Sequence, residues 1–342
     1  MALADYHATA GDWRAQLKRN ERNTRRVIAL FILVYVGVGL IADVVILKNM
    51  YPQTPIETCL NALVTFKVIP YATLIMGGIA AVSLLVTYSM YDRIMLLGTE
   101  YHEITAESAA NMQEKQLYNV VEEMKVAAGL NFMPRVFVIE AEYMNAFASG
   151  FSEKSAMVAI TRGLIEKLDR AELQAVMAHE LSHIRHHDIK LTLTVAVLSN
   201  IILIVIDILF YSMLYKRDRQ NDNRLLIIIM VLRYVLPIIT VILTLFLSRT
   251  REYMADAGAV ELMRDNEPMA RALMKISQDH QGHAEQYAQE YGRTAHEQIR
   301  QASYLFDPSS IDPVKSFSNA FSTHPQIEQR LEALGFISKE KK

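Results

Sequence analysis

The stretch Ala178-His179-Glu180-Leu181-Ser182-His183 lies within a predicted helix, residues 170–187, and constrains what the rest of the chain can form. At positions i and i+4, His179 and His183 project from one helix face one turn apart, so both imidazoles can reach a single Zn²⁺. Glu180 lies beside them, where a carboxylate can take a proton from zinc-bound water without being a ligand. The stretch therefore predicts a zinc site with Glu180 as the general base.

A catalytic zinc needs a third protein ligand. The metzincin pattern is excluded because it requires Gly at position 186 and His at position 189, where this chain has His186 and Ile189. Further along the chain, Glu252 and Asp256 lie at i and i+4 on one face of a predicted helix, residues 249–264. One of these carboxylates can bind zinc while the other hydrogen-bonds a ligating histidine.

Four long apolar runs flank these motifs. The overall composition, 51% hydrophobic and 21% charged over 342 residues, does not by itself prove a membrane protein. A bilayer core about 30 Å thick needs about 20 helical residues, however, and each run is long enough. The runs are residues 27–47, 68–90, 191–215 and 225–248. We therefore expect two hydrophobic hairpins and a multi-pass membrane protein.

The charges around the runs predict their orientation. A basic cluster between Arg14 and Arg26 precedes the first run and places the N-terminus in the cytoplasm by the positive-inside rule. The first run is too long for a cleavable signal peptide. The loop from Lys216 to Arg224 is also basic, which conflicts with its expected location outside. The second hairpin therefore either spans the bilayer or dips into it without crossing.

Each run of the second hairpin carries one charge, Asp207 or Arg233, and the two lie equally far from the intervening loop. A charge in lipid is costly and usually pairs or faces a polar cavity. We predict that Asp207 and Arg233 face each other. The alternative is that each lines the protein interior separately.

The remaining sequence predicts an α+β fold that is mainly α. A helical period over residues 111–130 precedes strand patterns at 135–140, 143–148 and 156–161, and a last short helix covers 325–334. We divide the chain into a basic leader (1–26), a transmembrane hairpin (27–90), a cytoplasmic domain with a small β-sheet (91–190 and 249–342) and a hairpin inserted in that domain (191–248).

Composition excludes several other classes. A net charge of -2 argues against a nucleic-acid binder, which would need a basic face. Cys59 is the single cysteine, so an intrachain disulfide and a cysteine-ligated zinc finger are excluded. We find no internal repeat.

Five motifs, in this order, resemble the HtpX-like M48 zinc metalloproteases, bacterial inner-membrane relatives of the CAAX prenyl proteases. They are NAFASG (145–150), VAITRGL (158–164), HELSH (179–183), SRTREYMAD (248–256) and STHP (322–325). The resemblance covers about residues 101–334. Two departures are a longer leader than expected and Gln326 where a second proline is usual.

The resemblance implies roles for four residues. His179, His183 and Glu252 would be the ligands of one Zn²⁺, and Glu180 would be the general base. The resemblance also implies a gluzincin-type domain that faces the cytoplasm at a bacterial inner membrane. The implied activity is endopeptidase cleavage of misfolded or excess membrane proteins. Protein or peptide substrates and the lipid bilayer are the expected partners, with no nucleic acid, while the sequence does not specify the oligomeric state.

Further predictions concern residues 145–147, His324, and the pair His186 and His187. Residues 145–147 are expected to form an edge strand that pairs with an extended substrate. Within it, Asn145 either holds a substrate carbonyl or is a simple turn residue. His324 either donates a hydrogen bond to the oxyanion, contacts zinc in a latent state, or is a surface histidine. His186 and His187 are expected to be solvated at a helix end and not to be ligands.

The competing function is a non-catalytic membrane scaffold or chaperone-like binder with a structural zinc. A closed site with four protein ligands, His324 among them, would favour this alternative. A transporter built on Asp207 and Arg233 is a weaker third possibility.

Overall fold

The computed structural model of the chain describes residues 3, 6–8, 13–96, 99–150, 152–215, 223–293, 304–306 and 324–339. The chain divides into two compact units. Unit 1 comprises residues 1–24, 88–191 and 247–342, and unit 2 comprises residues 25–87 and 192–246.

Helices dominate the described residues, and the expected α+β, mainly α, fold class is confirmed. The helices are α1 (Trp13–Met50), α2 (Ile56–Val64), α3 (Tyr71–Leu96), α4 (Met112–Ala128), α5 (Arg162–Lys167), α6 (Arg170–Arg185), α7 (Asp188–Tyr215), α8 (Asn223–Met263), α9 (Glu267–Gly282), α10 (Ala284–Arg293) and α11 (Ile327–Ala333). The strands are β1 (Tyr6–Ala8), β2 (Tyr101–Ile104), β3 (Arg135–Ile139), β4 (Ala146–Ser149), β5 (Met157–Thr161) and β6 (Phe336–Ser338).

Four helices in the described part of the chain are long and apolar enough to cross a membrane: α1, α3, α7 and α8. Helices α1, α7 and α8 contain the predicted runs 27–47, 191–215 and 225–248, whereas α3 begins at Tyr71, three residues into the predicted run 68–90. Helix α1 begins at Trp13, so the second half of the basic leader is continuous with the first run. Helix α8 extends to Met263, so the helix predicted for residues 249–264 continues the fourth run instead of starting anew. The basic loop predicted at 216–224 lies largely outside the described residues.

The apolar core of unit 2 contains a carboxylate, Asp43, which is 4% exposed. Its Oδ1 accepts a hydrogen bond from the Ala72 amide at 2.7 Å, and its Oδ2 accepts from the Thr73 amide at 3.0 Å and the Thr73 hydroxyl at 2.7 Å. These amides belong to the first turn of α3, whose N-terminus favours a negative charge. Asp43 therefore caps α3, which explains how the first apolar run tolerates a charge.

Asp207 and Arg233 face each other in unit 2, as predicted. The Nε of Arg233 donates a hydrogen bond to Oδ1 of Asp207 at 2.7 Å, and its Nη2 donates to the Tyr211 hydroxyl at 3.1 Å. The guanidinium also lies 4.4 Å from the ring centroid of Phe210. The ion pair and the aromatic rings satisfy both charges within one hairpin.

Unit 1 contains a four-stranded sheet in the order β2-β3-β5-β4, in which β3 and β5 are parallel and the other pairs are antiparallel. Every residue of β4 and β5 is buried. Helix α6 packs against β4, α4 and α9, which brings the His179 helix to the edge strand of the sheet. In a second, two-stranded sheet β1 pairs with β6.

The predicted strands at 135–140 and 156–161 match β3 and β5 to within one residue at each end. The strand predicted at 143–148 begins later, at Ala146. Asn145 does not continue the ladder between β4 and β5, because its backbone also bonds the side chain of Thr161. The Asn145 amide donates to Oγ1 of Thr161 at 2.9 Å, and the Thr161 hydroxyl and amide both donate to the Asn145 carbonyl at 3.0 Å.

Candidate active site

Helix α6 positions the first two candidate ligands. Its N-terminus is fixed by a capping box in which the Asp169 side chain accepts from the Glu172 amide and the Glu172 side chain accepts from the Asp169 amide. From there the helix runs through a buried apolar turn before the His179 turn. His179 is fully buried, and the side chain of His183 is 15% exposed.

The third candidate ligand comes from α8. Glu252 Oε2 lies 3.7 Å from Nε2 of His179, and Glu252 Oε1 lies 3.6 Å from Nε2 of His183. The two imidazole Nε2 atoms are 3.1 Å apart. Potential ligand atoms of these three residues all lie within 4.8 Å of one another.

A glycine allows α8 to approach α6 this closely. A Cβ at Gly258 would lie 2.1 Å from the Ser182 hydroxyl oxygen and 2.9 Å from the Ser182 Cβ. Ser182 precedes His183 by one residue, and Gly258 lies in the turn that follows Glu252 and Asp256. The absence of a side chain at this position therefore sets the spacing of the candidate ligands.

Each imidazole has a carboxylate at its other nitrogen. Asp256 Oδ1 lies 3.0 Å from Nδ1 of His179, and Asp188 Oδ2 lies 2.7 Å from Nδ1 of His183. Asp188 also pairs with Arg251. Such a carboxylate holds the proton on Nδ1 and leaves the Nε2 lone pair directed at the cluster. Of the two candidate carboxylates on α8, Glu252 therefore faces the cluster, and Asp256 lies against the far nitrogen of His179.

Arg330 of α11 joins the two carboxylates of α8. Its Nε and Nη2 donate to Asp256 at 2.9 and 2.6 Å, and its Nη1 lies 3.5 Å from Glu252 Oε2. The side chain of Arg330 is 1% exposed. Helix α11 starts at the site of the departure noted in the sequence, since Gln326 forms a capping box with Gln329.

Glu180 follows His179 in the chain but does not belong to the cluster of candidate ligands. It is 1% exposed, and neither of its carboxylate oxygens makes a hydrogen bond of normal geometry with the described residues. The positive charge of Arg330 and the Ala148 amide of β4 lower the pKa of Glu180 and partly offset the rise that burial causes. A buried carboxylate with spare acceptor capacity is suited to bind a water molecule or a substrate group.

Burial is the largest influence on the pKa of three ionisable groups of the site. It raises the pKa of Glu180 well above its ordinary value, and the nearby Glu252 carboxylate adds to this effect. It lowers the pKa of His183 well below its ordinary value, reinforced by the neighbouring imidazole. Burial alone would raise the pKa of Glu252, but His324 and Arg330 outweigh it and hold that pKa below its ordinary value. A neutral His183 and an ionised Glu252 are the protonation states that bind a metal.

The geometry fits a tetrahedral metal ion. Ligand atoms bound at about 2.0–2.1 Å on a tetrahedron lie about 3.3 Å from one another. The two Nε2 atoms are 3.1 Å apart, and they lie 3.7 and 3.6 Å from Oε2 and Oε1 of Glu252, so the donor atoms of the three residues lie near that spacing. Two imidazoles and one carboxylate are the donor set of many catalytic zinc sites, and three protein ligands leave a fourth position open.

His324 lies at the same cluster. Its Nδ1 is 3.4 Å from Oε2 of Glu252, and the residue is 5% exposed. It is therefore not a surface histidine. The two preceding residues of its motif, 322 and 323, lie outside the described residues.

Asn145 is 0% exposed and makes hydrogen bonds within the protein. Its Nδ2 donates to the Tyr291 hydroxyl at 3.2 Å and to the Phe306 carbonyl at 3.0 Å. His186 is half-buried, with Nδ1 2.9 Å from the Ser182 carbonyl, so it is less solvated than expected. His187 is exposed, and neither histidine belongs to the ligand cluster.

Sequence reasoning missed Asp188 and Arg330. Asp188 follows His183 by five residues and begins α7, so its signal was an acidic residue close in sequence to the second histidine. Arg330 is 74 positions from Asp256, so no local spacing relates the two residues.

Comparison with known proteins identifies a family that matches most of the soluble part of the chain. The model of the family described as Peptidase family M48 matches residues 111–337. A relative described as "Protease HtpX homolog" from Helicobacter pylori is 40% identical over 318 residues, covering 93% of this chain and 96% of the relative. A relative with the same description from Dictyoglomus thermophilum is 36% identical over 282 residues, covering 80% of this chain and 86% of the relative.

Among solved structures, the crystal structure of S. mikatae Ste24p is similar, with a TM-score of 0.48 and 17% identity, covering 97% of this chain and 68% of that chain. A similarity at this level supports no conclusion about activity. The family match spans more than half of the chain, and the Helicobacter relative covers nearly all of it. The chain therefore belongs to peptidase family M48, with HtpX proteases among its relatives.

Proposed function

We propose that this chain is a membrane-bound zinc endopeptidase in which His179, His183 and Glu252 hold the metal and Glu180 is the general base. One observation carries the proposal. Three potential ligands converge within 4.8 Å, and a buried carboxylate without a normal hydrogen-bond partner lies beside them. Membership of family M48 makes peptide-bond hydrolysis the reaction to be explained.

The bound Zn²⁺ would act as a Lewis acid, which lowers the pKa of water and polarises the scissile carbonyl. Glu180 accepts a proton from the attacking water and returns it to the leaving amine nitrogen. Burial raises the pKa of Glu180, which makes its carboxylate a stronger proton acceptor. Asp256 and Asp188 orient the two imidazoles. We assign His324 the role of hydrogen-bond donor to the oxyanion, because it lies at the cluster and is buried.

The cellular setting is also part of the proposal. The basic leader supports a cytoplasmic N-terminus and a cytoplasmic active site, and the resemblance to bacterial proteases supports an inner-membrane location. We propose residues 91–190 and 249–342 as the protease domain and residues 191–248 as the inserted hairpin. Misfolded or excess membrane proteins are the proposed substrates.

The test compares the purified full-length parent with Glu180→Gln in detergent. We expect both proteins to contain one zinc per chain by elemental analysis, and only the parent to cleave a denatured protein substrate. The matched control is Glu166→Gln, because Glu166 is an exposed carboxylate on α5, outside the site. It is expected to cleave like the parent.

Equal cleavage by Glu180→Gln and the parent would contradict the assignment of the base. A parent that binds zinc and cleaves nothing would instead support the scaffold alternative. His179→Ala is expected to lose the metal itself, which separates a metal-dependent loss of activity from a purely catalytic one.

A further inference from the structure

Strand β4 is an edge of the four-stranded sheet, and part of its outer edge is occupied by the chain itself. The Leu305 amide donates a hydrogen bond to the Ala146 carbonyl at 2.9 Å. Tyr304 lies against Phe147, with ring centroids 5.9 Å apart, and Phe306 bonds Asn145. Residues 304–306, called the 304–306 segment below, thus run antiparallel to residues 145–147.

The Asn145 side chain holds this segment as a neighbouring strand would. Its Nδ2 donates to the Phe306 carbonyl at 3.0 Å, and its Oδ1 accepts from the Phe306 amide at 3.3 Å. Phe306 also packs on His280, with ring centroids 4.5 Å apart. Tyr304, Leu305 and Phe306 are 2%, 1% and 3% exposed. The segment is therefore bound by backbone pairing and apolar burial together.

The 304–306 segment reaches the candidate active site. Arg330 Nη1 donates to the Leu305 carbonyl at 2.7 Å, and the same atom lies 3.5 Å from Oε2 of Glu252. On the other side, the Ala148 amide of β4 faces Glu180. An extended peptide that pairs with this edge of β4 would therefore lie beside the general base and the proposed metal ligands.

We propose that the 304–306 segment is a built-in occupant of the peptide-binding edge of β4, and that substrates displace it with an extended, apolar segment of their own. The groups that hold the segment, the Ala146 carbonyl and the Asn145 carboxamide, bond its backbone and can therefore bond the backbone of any extended peptide. The surroundings select aromatic and aliphatic side chains, because Phe147 and His280 line the positions of Tyr304 and Phe306. This inference rests on the proposed protease function.

An occupant of the site raises the apparent KM, because only the fraction of molecules with a free edge can bind substrate. Weakening the occupant should therefore lower KM and leave kcat unchanged. Leu305→Pro removes the amide that donates to Ala146, whereas Leu305→Met keeps the amide and nearly the same side-chain volume.

The kinetic test uses the full-length, zinc-loaded protein and a quenched fluorescent peptide that contains Tyr-Leu-Phe. We expect Leu305→Pro to lower KM by about threefold to tenfold, the factor that one backbone hydrogen bond is worth, and Leu305→Met to match the parent. A second peptide, with serine in place of the three apolar residues, should be cleaved more slowly by every active protein. An unchanged or higher KM in Leu305→Pro, with an active parent, would overturn the inference and leave the protease assignment intact.

A binding test covers the case in which Leu305→Pro does not fold. Amide hydrogen exchange is measured in full-length Glu180→Gln, with and without the Tyr-Leu-Phe peptide, which this variant binds but does not cleave. We expect the peptide to deprotect the 304–306 segment while β4 stays protected. Unchanged exchange in the segment at saturating peptide would overturn the inference. Absence of cleavage by the zinc-loaded parent would instead overturn the proposed function.

Discussion

Arg330 and Asp256 form a bidentate ion pair in which both side chains are 1% exposed. Arg330 donates from Nε to Oδ2 at 2.9 Å and from Nη2 to Oδ1 at 2.6 Å. Oδ1 of Asp256 also lies 3.0 Å from Nδ1 of His179. The guanidinium therefore fixes the carboxylate that orients a proposed metal ligand, although Arg330 itself contacts neither imidazole in the described residues.

Arg330→Lys is expected to weaken zinc binding by about 10–100-fold, because a lysine cannot make two parallel hydrogen bonds to Asp256. The measurement is competition for zinc between the purified protein and a chelator of known affinity. Arg135→Lys is the matched control, since Arg135 makes a similar bidentate pair with Glu103 on the exposed side of β3. Equal zinc affinities for Arg330→Lys and Arg135→Lys would contradict the positioning role.

Asp188→Asn should also weaken zinc binding by about 10–100-fold, because the amide is a poorer partner for Nδ1 of His183. The same competition measures it, with Asp279→Asn as control because Asp279 pairs with Lys167 away from the site. If Asp188→Asn bound zinc as tightly as the parent, the carboxylate would not orient the imidazole.

Gly258→Ala is expected to cost about 1–3 kcal/mol of stability and to lower the zinc content, because its Cβ would collide with Ser182 and push α8 away from α6. The measurements are thermal unfolding in detergent and elemental analysis. Adding Ser182→Gly to Gly258→Ala should restore zinc binding, since it removes both colliding atoms. Gly282→Ala is the control, because a Cβ there meets nothing within 4 Å. Failure of the double variant to regain zinc would reject the spacing argument.

A pH-dependent loss of stability is expected from His280, which is 1% exposed and bonds the Ile276 carbonyl and the Tyr291 hydroxyl. Burial lowers the pKa of His280 from 6.5 to about 4. Between these values the unfolded chain binds a proton that the folded chain does not, so stability falls as the pH falls. The full shift corresponds to about 3 kcal/mol.

Thermal unfolding of the parent and His280→Gln in detergent, from pH 7 to pH 4, measures this effect. The stability of His280→Gln should depend less on pH over that window. His283→Gln, at an exposed position one turn further on, should behave like the parent. Identical pH profiles for the parent and His280→Gln would show that the titration of His280 does not contribute to the pH dependence of stability.

Sequence patterns predicted the features that depend on residues close together in the chain. The apolar runs predicted the long helices because a span needs only length and hydrophobicity. The i, i+4 spacings of His179 with His183 and of Glu252 with Asp256 placed each pair on one helix face. The equal distances of Asp207 and Arg233 from their loop predicted a pair that the structure contains.

Contacts between distant segments were not predictable in this way. Arg330 meets Asp256, and the 304–306 segment meets Asn145, across 74 and 161 positions of the chain. Strand β2 was missed because Tyr-His-Glu-Ile lacks a clear alternation, and its partner β3 stabilises it. Helix α2 was missed because its nine residues connect two apolar runs and carry little pattern of their own.

The carboxylates at both Nδ1 atoms have a consequence for how the protein acquires its metal. Asp256 and Asp188 lie 3.0 and 2.7 Å from the Nδ1 atoms of His179 and His183, so each imidazole has a carboxylate of the polypeptide at the nitrogen turned away from the cluster. These contacts are made by the polypeptide alone, so they can hold both rings whether or not an ion is bound. We therefore expect that the metal can be removed by a chelator and bound again reversibly, without unfolding of the protein.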